Sequence, residues 1–311
     1  MRKNILFVII VLAVLGCTVS LSVNAESFRK YYPNGTLIRQ KDSFAVWLSE
    51  GTQRHLIPSP EVFNTRFKWN NVIEVSEIPD DFEIGEEVKF SDGTLLMGDN
   101  STVYIVTDNG YKRGFVSKEI FEGLGYKWKS IIKVSNTELA KYSDSVIEFP
   151  QMTNMQMGSV NNLNSHPMGT LINVDGTIYR KDRRTSSESV LTCDGCEPMI
   201  FRGIPSPDIF LANNFKWENV VSATEGEKSL LNSAYNFIGS NITFPDGTLL
   251  KGKSSPTVYL MEYGQKTPFH TANEFLSRGY KWESILEIND SELNMVPNGV
   301  DNWDCSSESG C

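Results

Sequence analysis

One short module is written four times along this chain, and no other feature limits the fold as strongly. Gly-Thr-Leu recurs at Gly35, Gly93, Gly169 and Gly247, and a Lys-Trp pair preceded by Phe or Tyr recurs at Trp69, Trp128, Trp217 and Trp282. The Gly-to-Trp separations are 34, 35, 48 and 35 residues, so the third copy carries about 13 more than the others. Copies two and four match best (FSDGTLLMG and FPDGTLLKG, then TVYIV and TVYLM, then GYKW twice), while copies one and three share Ile-Pro-Ser-Pro and Phe-Lys-Trp. The alternation reads A-B-A-B, a duplicated pair.

Each copy predicts the same local elements. Gly-Thr-Leu opens a strand after a turn residue such as Asn34, Asp92 or Asp246. A β-branched and aromatic run follows (Thr102–Val106, Thr257–Met261), then a hairpin turn at Asn109-Gly110 or Tyr263-Gly264. A third strand ends at Ile57, Phe115, Ile204 or Phe269. Ser59, Ser117, Ser206 and Thr271 stand where N-caps belong, and Pro60 and Pro207 fall at the first helical position. Phe63, Phe121, Phe210 and Phe275 lie four residues past each cap, spaced to staple onto the residue before it. Thr271 and Glu274 have capping-box spacing, and Gly125 and Gly279 stop their helices. An apolar run after each Trp reads as a fourth strand. The expected fold is α+β: four β-β-β-α-β modules of about 55 residues, small enough that neighbours would share cores or pack as pairs. Copy three departs from this at its insertion and at Ala223-Thr224, where the others continue a strand and a short helix.

The boundaries expected are residues 33–88, 89–148, 166–241 and 242–300 for the modules, with a linker at 149–165 and a tail at 301–311. The linker is free of charge and rich in Asn, Met and Ser. The string DGTLLKG…SPTVYLMEYGQKTPF…FLSRGYKW…SILEINDSEL resembles modules that recur in tandem in secreted and surface proteins of prokaryotes. The likeness spans roughly residues 33–300 and implies an exported, envelope-associated protein without implying a particular activity.

Arg2 and Lys3 followed by an apolar run from Ile5 to Leu15 read as a secretory signal. Cleavage after Ala25 fits Val23-Asn24-Ala25; Leu15-Gly16-Cys17 alternatively resembles a lipobox, which would make Cys17 the acylated first residue; a retained membrane anchor is the third route. Removing 1–25 takes two cations, so 29 Lys plus Arg become 27 against 38 Asp plus Glu, and the net charge moves from −9 to −11. That balance excludes a nucleic-acid partner, which would need cations to displace phosphate counterions, and leaves contact with membrane only through the N-terminal segment.

The expected localisation is therefore outside the cytoplasm: extracellular, cell surface or periplasm. In an oxidising compartment Cys193-Asp194-Gly195-Cys196 reads as a disulfide across a tight turn, and Cys305 with Cys311 as a second bridge closing a Ser-rich tail; a zinc site built from all four thiolates is the competing reading. His55, His166 and His270 are scattered and are assigned surface or capping roles. No nucleophile elbow, zinc-protease, phosphate-loop, dinucleotide or EF-hand string is present, so no enzyme, cofactor or metal is expected.

The ligand candidates are aromatic. Trp47, Tyr104, Tyr179 and Tyr259 share one position in the second strand, opposite in facing to Val46, Val103, Ile178 and Val258. They serve either as stacking platforms or as packing between modules. Trp69, Trp128, Trp217 and Trp282 are expected in the core, each with the stem of its preceding Lys laid along apolar surface. The function these residues point to is non-enzymatic binding of an envelope glycan or a surface protein, with a ligand-free structural spacer as the alternative and a thiol oxidoreductase or hydrolase as a distant third.

Overall fold

The computed structural model describes residues 32–108, 110–144, 159–160, 164–184, 199–233 and 237–299. The leader with Cys17, most of the linker, the insertion with Cys193 and Cys196, and the tail with Cys305 and Cys311 lie outside the described residues. Among those described, no helix is long and apolar enough to cross a membrane.

Four sheets carry one strand order. In the fourth, Leu249–Gly252 pairs antiparallel with Val258–Glu262, which pairs antiparallel with Gln265–Pro268. The chain then crosses through the helix Ala272–Ser277 and returns as Ile285–Ile288, parallel to the first strand on its free edge. The first, second and third sheets repeat this with Leu37–Gln40, Leu95–Met97 and Leu171–Val174 as their first strands. Two of the sheets add edge strands: Glu83–Ile84 joins the first, and Ser143–Asp144 joins the second. Ser159–Val160, expected in a linker, also pairs with the second sheet, beside Gly114–Phe115. The architecture is thus mixed α+β.

The helix starts follow the caps read from sequence. Ser59, Ser117, Ser206 and Thr271 accept from the backbone N–H of Val62, Ile120, Ile209 and Glu274. The staple differs. Phe121 packs edge-on against Phe115 at 5.1 Å and Phe275 against Phe269 at 5.3 Å, so the contact is to the last inward strand residue, two before the cap. Strand alternation sends the intervening Val116 to solvent. The capping box is also relocated: the Glu274 carboxylate accepts from His270 N–H, one residue before the cap. A complete box forms instead at Thr224 and Glu227, heading a helix over Glu225–Leu231. Copy three therefore keeps a helix after its short fourth strand, Val221–Ser222, contrary to the expected departure at Ala223-Thr224.

The described residues form two compact units: one from 32–58, 69–88 and 245–299, the other from 59–68 and the described part of 89–244. In the first, Ile38 and Ile73 share a core with Leu249, Val258, Leu260, Phe269 and Phe275. In the second, Leu95, Ile105, Phe115 and Phe121 share a core with Ile172, Phe201 and Val221. The cores thus join copy one to copy four, and copy two to copy three.

The Gly of Gly-Thr-Leu makes each joint. Gly93 has φ +85°, and a Cβ there would stand 2.3 Å from Gly169 O; a Cβ on Gly247 (φ +79°) would stand 2.2 Å from Gly35 O. Two backbones meet at a distance that admits no side chain, in a conformation L-residues rarely adopt. Beside each joint a tyrosine reaches across: Tyr126 OH meets Thr170 Oγ1 at 2.6 Å, and Tyr280 OH meets Thr36 Oγ1 at 3.4 Å. Burial raises the pKa of both phenols, so they remain protonated at the joint. Copies one and three carry Phe67 and Phe215 in place of this Tyr, so each joint pairs the Tyr of one copy with a Thr of the other.

Candidate functional site

The second-strand aromatics are half-buried. Tyr104 and Tyr179 lie across from Gly114 and Gly203, whose missing side chains leave room for the rings. Third-strand cations cover three of the four positions. Arg54 lies 4.8 Å from the Trp47 centroid, and Lys112 and Lys266 lie 5.8 Å from those of Tyr104 and Tyr259. Trp47 and Tyr179 also pack against the shared cores. Trp47 and Tyr259 fall in one compact unit, Tyr104 and Tyr179 in the other.

The repeated tryptophans are not core residues. Trp69, Trp128, Trp217 and Trp282 are 49, 45, 51 and 50 % exposed. The reason is positional. Each opens a one-turn 3-10 helix just before the fourth strand, and beneath Trp128, Trp217 and Trp282 the space is already filled by a helix phenylalanine. Trp217 stacks on Phe210 at 3.9 Å and 15°, Trp282 on Phe275 at 4.3 Å and 22°, and Trp128 covers Phe121 at 4.6 Å. Those phenylalanines are fully buried, so the indole seals the core with one face and leaves the rest of its surface in solvent. The Trp128 ring N–H is fixed by Glu122 Oε1 at 2.8 Å.

His166 is not at the surface either. Its Nδ1 lies 2.8 Å from Glu227 Oε2, its Nε2 lies 2.9 Å from Leu124 O, and its backbone N–H donates to Glu227 Oε1 at 2.7 Å. Lys181 donates to His166 O at 2.6 Å and to Ser165 Oγ, with its ammonium 3.8 Å from Glu227 Oε1. Burial pushes the Glu227 carboxyl up, but the hydrogen bond and charge of His166, with Lys181 beside it, outweigh that and hold it at about 2. The one sequence signal for this cluster was an irregularity. Copies one, two and four have Tyr32, Phe90 and Phe244 three residues before the Gly, and copy three has His166. Of the other two histidines, His270 stands exposed before its cap as expected, whereas the His55 side chain is only 17 % exposed and its ring meets Glu86 O at 2.7 Å.

No protein-family model matches the chain, and no curated protein matches it either. Among solved structures it is similar, at 9 % identity and a TM-score of 0.15, to an intact ESX-5 inner membrane complex, over 96 % of this chain and 87 % of that one. A second similarity, at 12 % identity and a TM-score of 0.17, is to the periplasmic assembly of the ESX-5 inner membrane complex, over 86 % of this chain and 68 % of that one. Scores this low carry no argument about fold or function.

Proposed function

We propose that this is an exported, non-enzymatic repeat protein that binds a neutral envelope glycan or a surface protein through several weak, equivalent sites. The observation that carries the reading is the set of four half-exposed tryptophans at one repeated position. A rigid indole held on a buried phenylalanine offers a flat apolar surface at little cost in side-chain entropy, as glycan recognition requires. The stacking role assigned from sequence to Trp47, Tyr104, Tyr179 and Tyr259 passes mainly to these tryptophans, because cations already cover three of those rings. Repetition suits weak sites, since linking them raises effective concentration and avidity can exceed one site's affinity by about 10²-fold or more. A mature charge of −11, which assumes loss of residues 1–25, disfavours anionic polymers as the main partner. The A-B-A-B order is read as duplication of an ancestral pair, each joint then forming between one A copy and one B copy.

The test is retention of the exported chain on neutral cell-wall glycan and on envelope fractions, beside a variant with all four tryptophans changed to Ala. Loss of retention in a folded variant supports the reading. Equal retention removes the tryptophans from it, and no retention of the wild type favours the spacer.

A further inference from the structure

We propose that the joint between the second and third sheets contains a separate binding site for a single sugar ring. One joint is built twice, with different outcomes. Beside the Gly35–Gly247 joint, the 3-10 turns of copies one and four close on each other. The Asn70 amide donates to Glu283 O at 3.3 Å, the Ser284 hydroxyl donates to Asn70 O at 2.6 Å, and only about 10 Å³ of space remains. Beside the Gly93–Gly169 joint the corresponding place is a cavity of about 190 Å³.

Its walls mix polar groups with apolar ones such as Leu95, Ile131 and Leu171. Ser130 and Asn219 line it together with Thr65, Ser91, Thr94 and Thr170, whose hydroxyls already bond within the protein. Lys127 and Lys129 are at the wall too, engaged with Glu218 O at 3.0 Å and Glu218 Oε2 at 3.4 Å. Ser130 stands where Ser284 stands in the closed joint, and Asn219 where Asn71 stands. Ser130 Oγ and Asn219 Oδ1 are buried and have no hydrogen-bond partner in the protein. Burying an acceptor and a hydroxyl without partners is costly, and a guest that supplies the missing bonds recovers that cost.

Size narrows the guest. A cavity of about 150 Å³ accepts a benzene-sized ring, so this one takes a six-membered ring with small substituents. Polarity narrows it further. An amide oxygen that needs a donor and a hydroxyl that can do either suit the hydroxyls of a pyranose, whose carbon faces suit the apolar part of the wall; an aromatic ring would leave both polar groups unmet. This site extends the glycan reading but does not depend on the exposed tryptophans.

The experiment titrates the exported chain with glucose, N-acetylglucosamine and glucuronic acid, following backbone amide shifts by NMR. At least one sugar is expected to shift the amides of Ser130 and Asn219. Ser130→Ala and Asn219→Ala are expected to weaken that sugar at least tenfold, while Ser284→Ala in the closed joint leaves it unchanged. The inference is overturned if none of the three sugars moves those amides, or if both variants bind like the wild type. Retention on polymer glycan without monosaccharide shifts at Ser130 and Asn219 likewise overturns it, and leaves the tryptophan reading standing.

Discussion

Glu227 Oε2 lies 2.8 Å from His166 Nδ1 with both side chains wholly buried, and the other ring nitrogen of His166 faces the Leu124 carbonyl. Carboxylate and carbonyl only accept, so both ring nitrogens face acceptors. Removing the carboxylate charge takes the counter-charge from the buried Lys181 ammonium, 3.8 Å from Glu227 Oε1. Glu227→Gln is therefore expected to cost about 3–5 kcal/mol, read as a shift in the denaturant midpoint. The triple change His166→Phe, Lys181→Met, Glu227→Leu should recover most of this loss. It imports the apolar Phe90 or Phe244 and the Met261 of other copies, and well-packed apolar groups commonly equal a buried ion cluster. A triple variant no more stable than Glu227→Gln would show that the cluster itself is required.

Acid should find the same cluster. Glu227 is held at about 2 when folded, below the 4.5 of an unperturbed glutamate, so its contribution is complete above pH 4.5 and is lost as pH falls toward 2. A shift of that size corresponds to about 3 kcal/mol. Melting followed from pH 5 to pH 2.5 is expected to show a falling midpoint in the wild type and a distinctly shallower fall in Glu227→Gln. Parallel curves would mean that other carboxylates carry the acid sensitivity.

Local chemistry was legible and partnership was not. Ser117 and Thr271 announce their helices because capping is decided within four residues, and each cap bond is present. Gly-Thr-Leu was visible as a turn before a strand, but one copy cannot reveal that Gly93 needs its glycine because Gly169 stands against it, 76 residues away. Trp128 was misread because residue type suggests burial, whereas the place beneath it belongs to Phe121. Lys181 shows the same limit. Copies two and four put their lysine on the third strand, as Lys112 opposite Val106 and Lys266 opposite Met261, while copy three puts Lys181 on the second strand opposite Phe201. The exchange preserves the pair across the strands, and only the register makes it visible.

Glycine substitutions separate the demands of a turn from those of a joint. Gly264 has φ +71° with nothing near its would-be Cβ, so Gly264→Ala should cost only the left-handed strain, about 1–2 kcal/mol. Gly93→Ala adds a Cβ at 2.3 Å from a backbone oxygen, which no rotamer change relieves. It is expected to cost at least about 3 kcal/mol in chemical denaturation, a value reserved for strain at special backbone positions. Equal losses at the two sites would show that the joint opens at little cost.

The tryptophans should separate stability from binding. The Trp217 indole touches one buried phenylalanine and leaves about half its surface in water, so Trp217→Ala is expected to lower stability by only about 1–2 kcal/mol. Trp217→Phe keeps a flat ring over Phe210 and should recover most of that. Binding should respond more steeply, because several linked sites contribute to one avidity. Changing Trp69, Trp128, Trp217 and Trp282 one after another should therefore reduce retention on neutral glycan progressively, with more than a tenfold loss when all four are gone. Thermal melts of the same series provide the control. A series whose melting falls stepwise while retention stays constant would make these rings lids on their phenylalanines and nothing more.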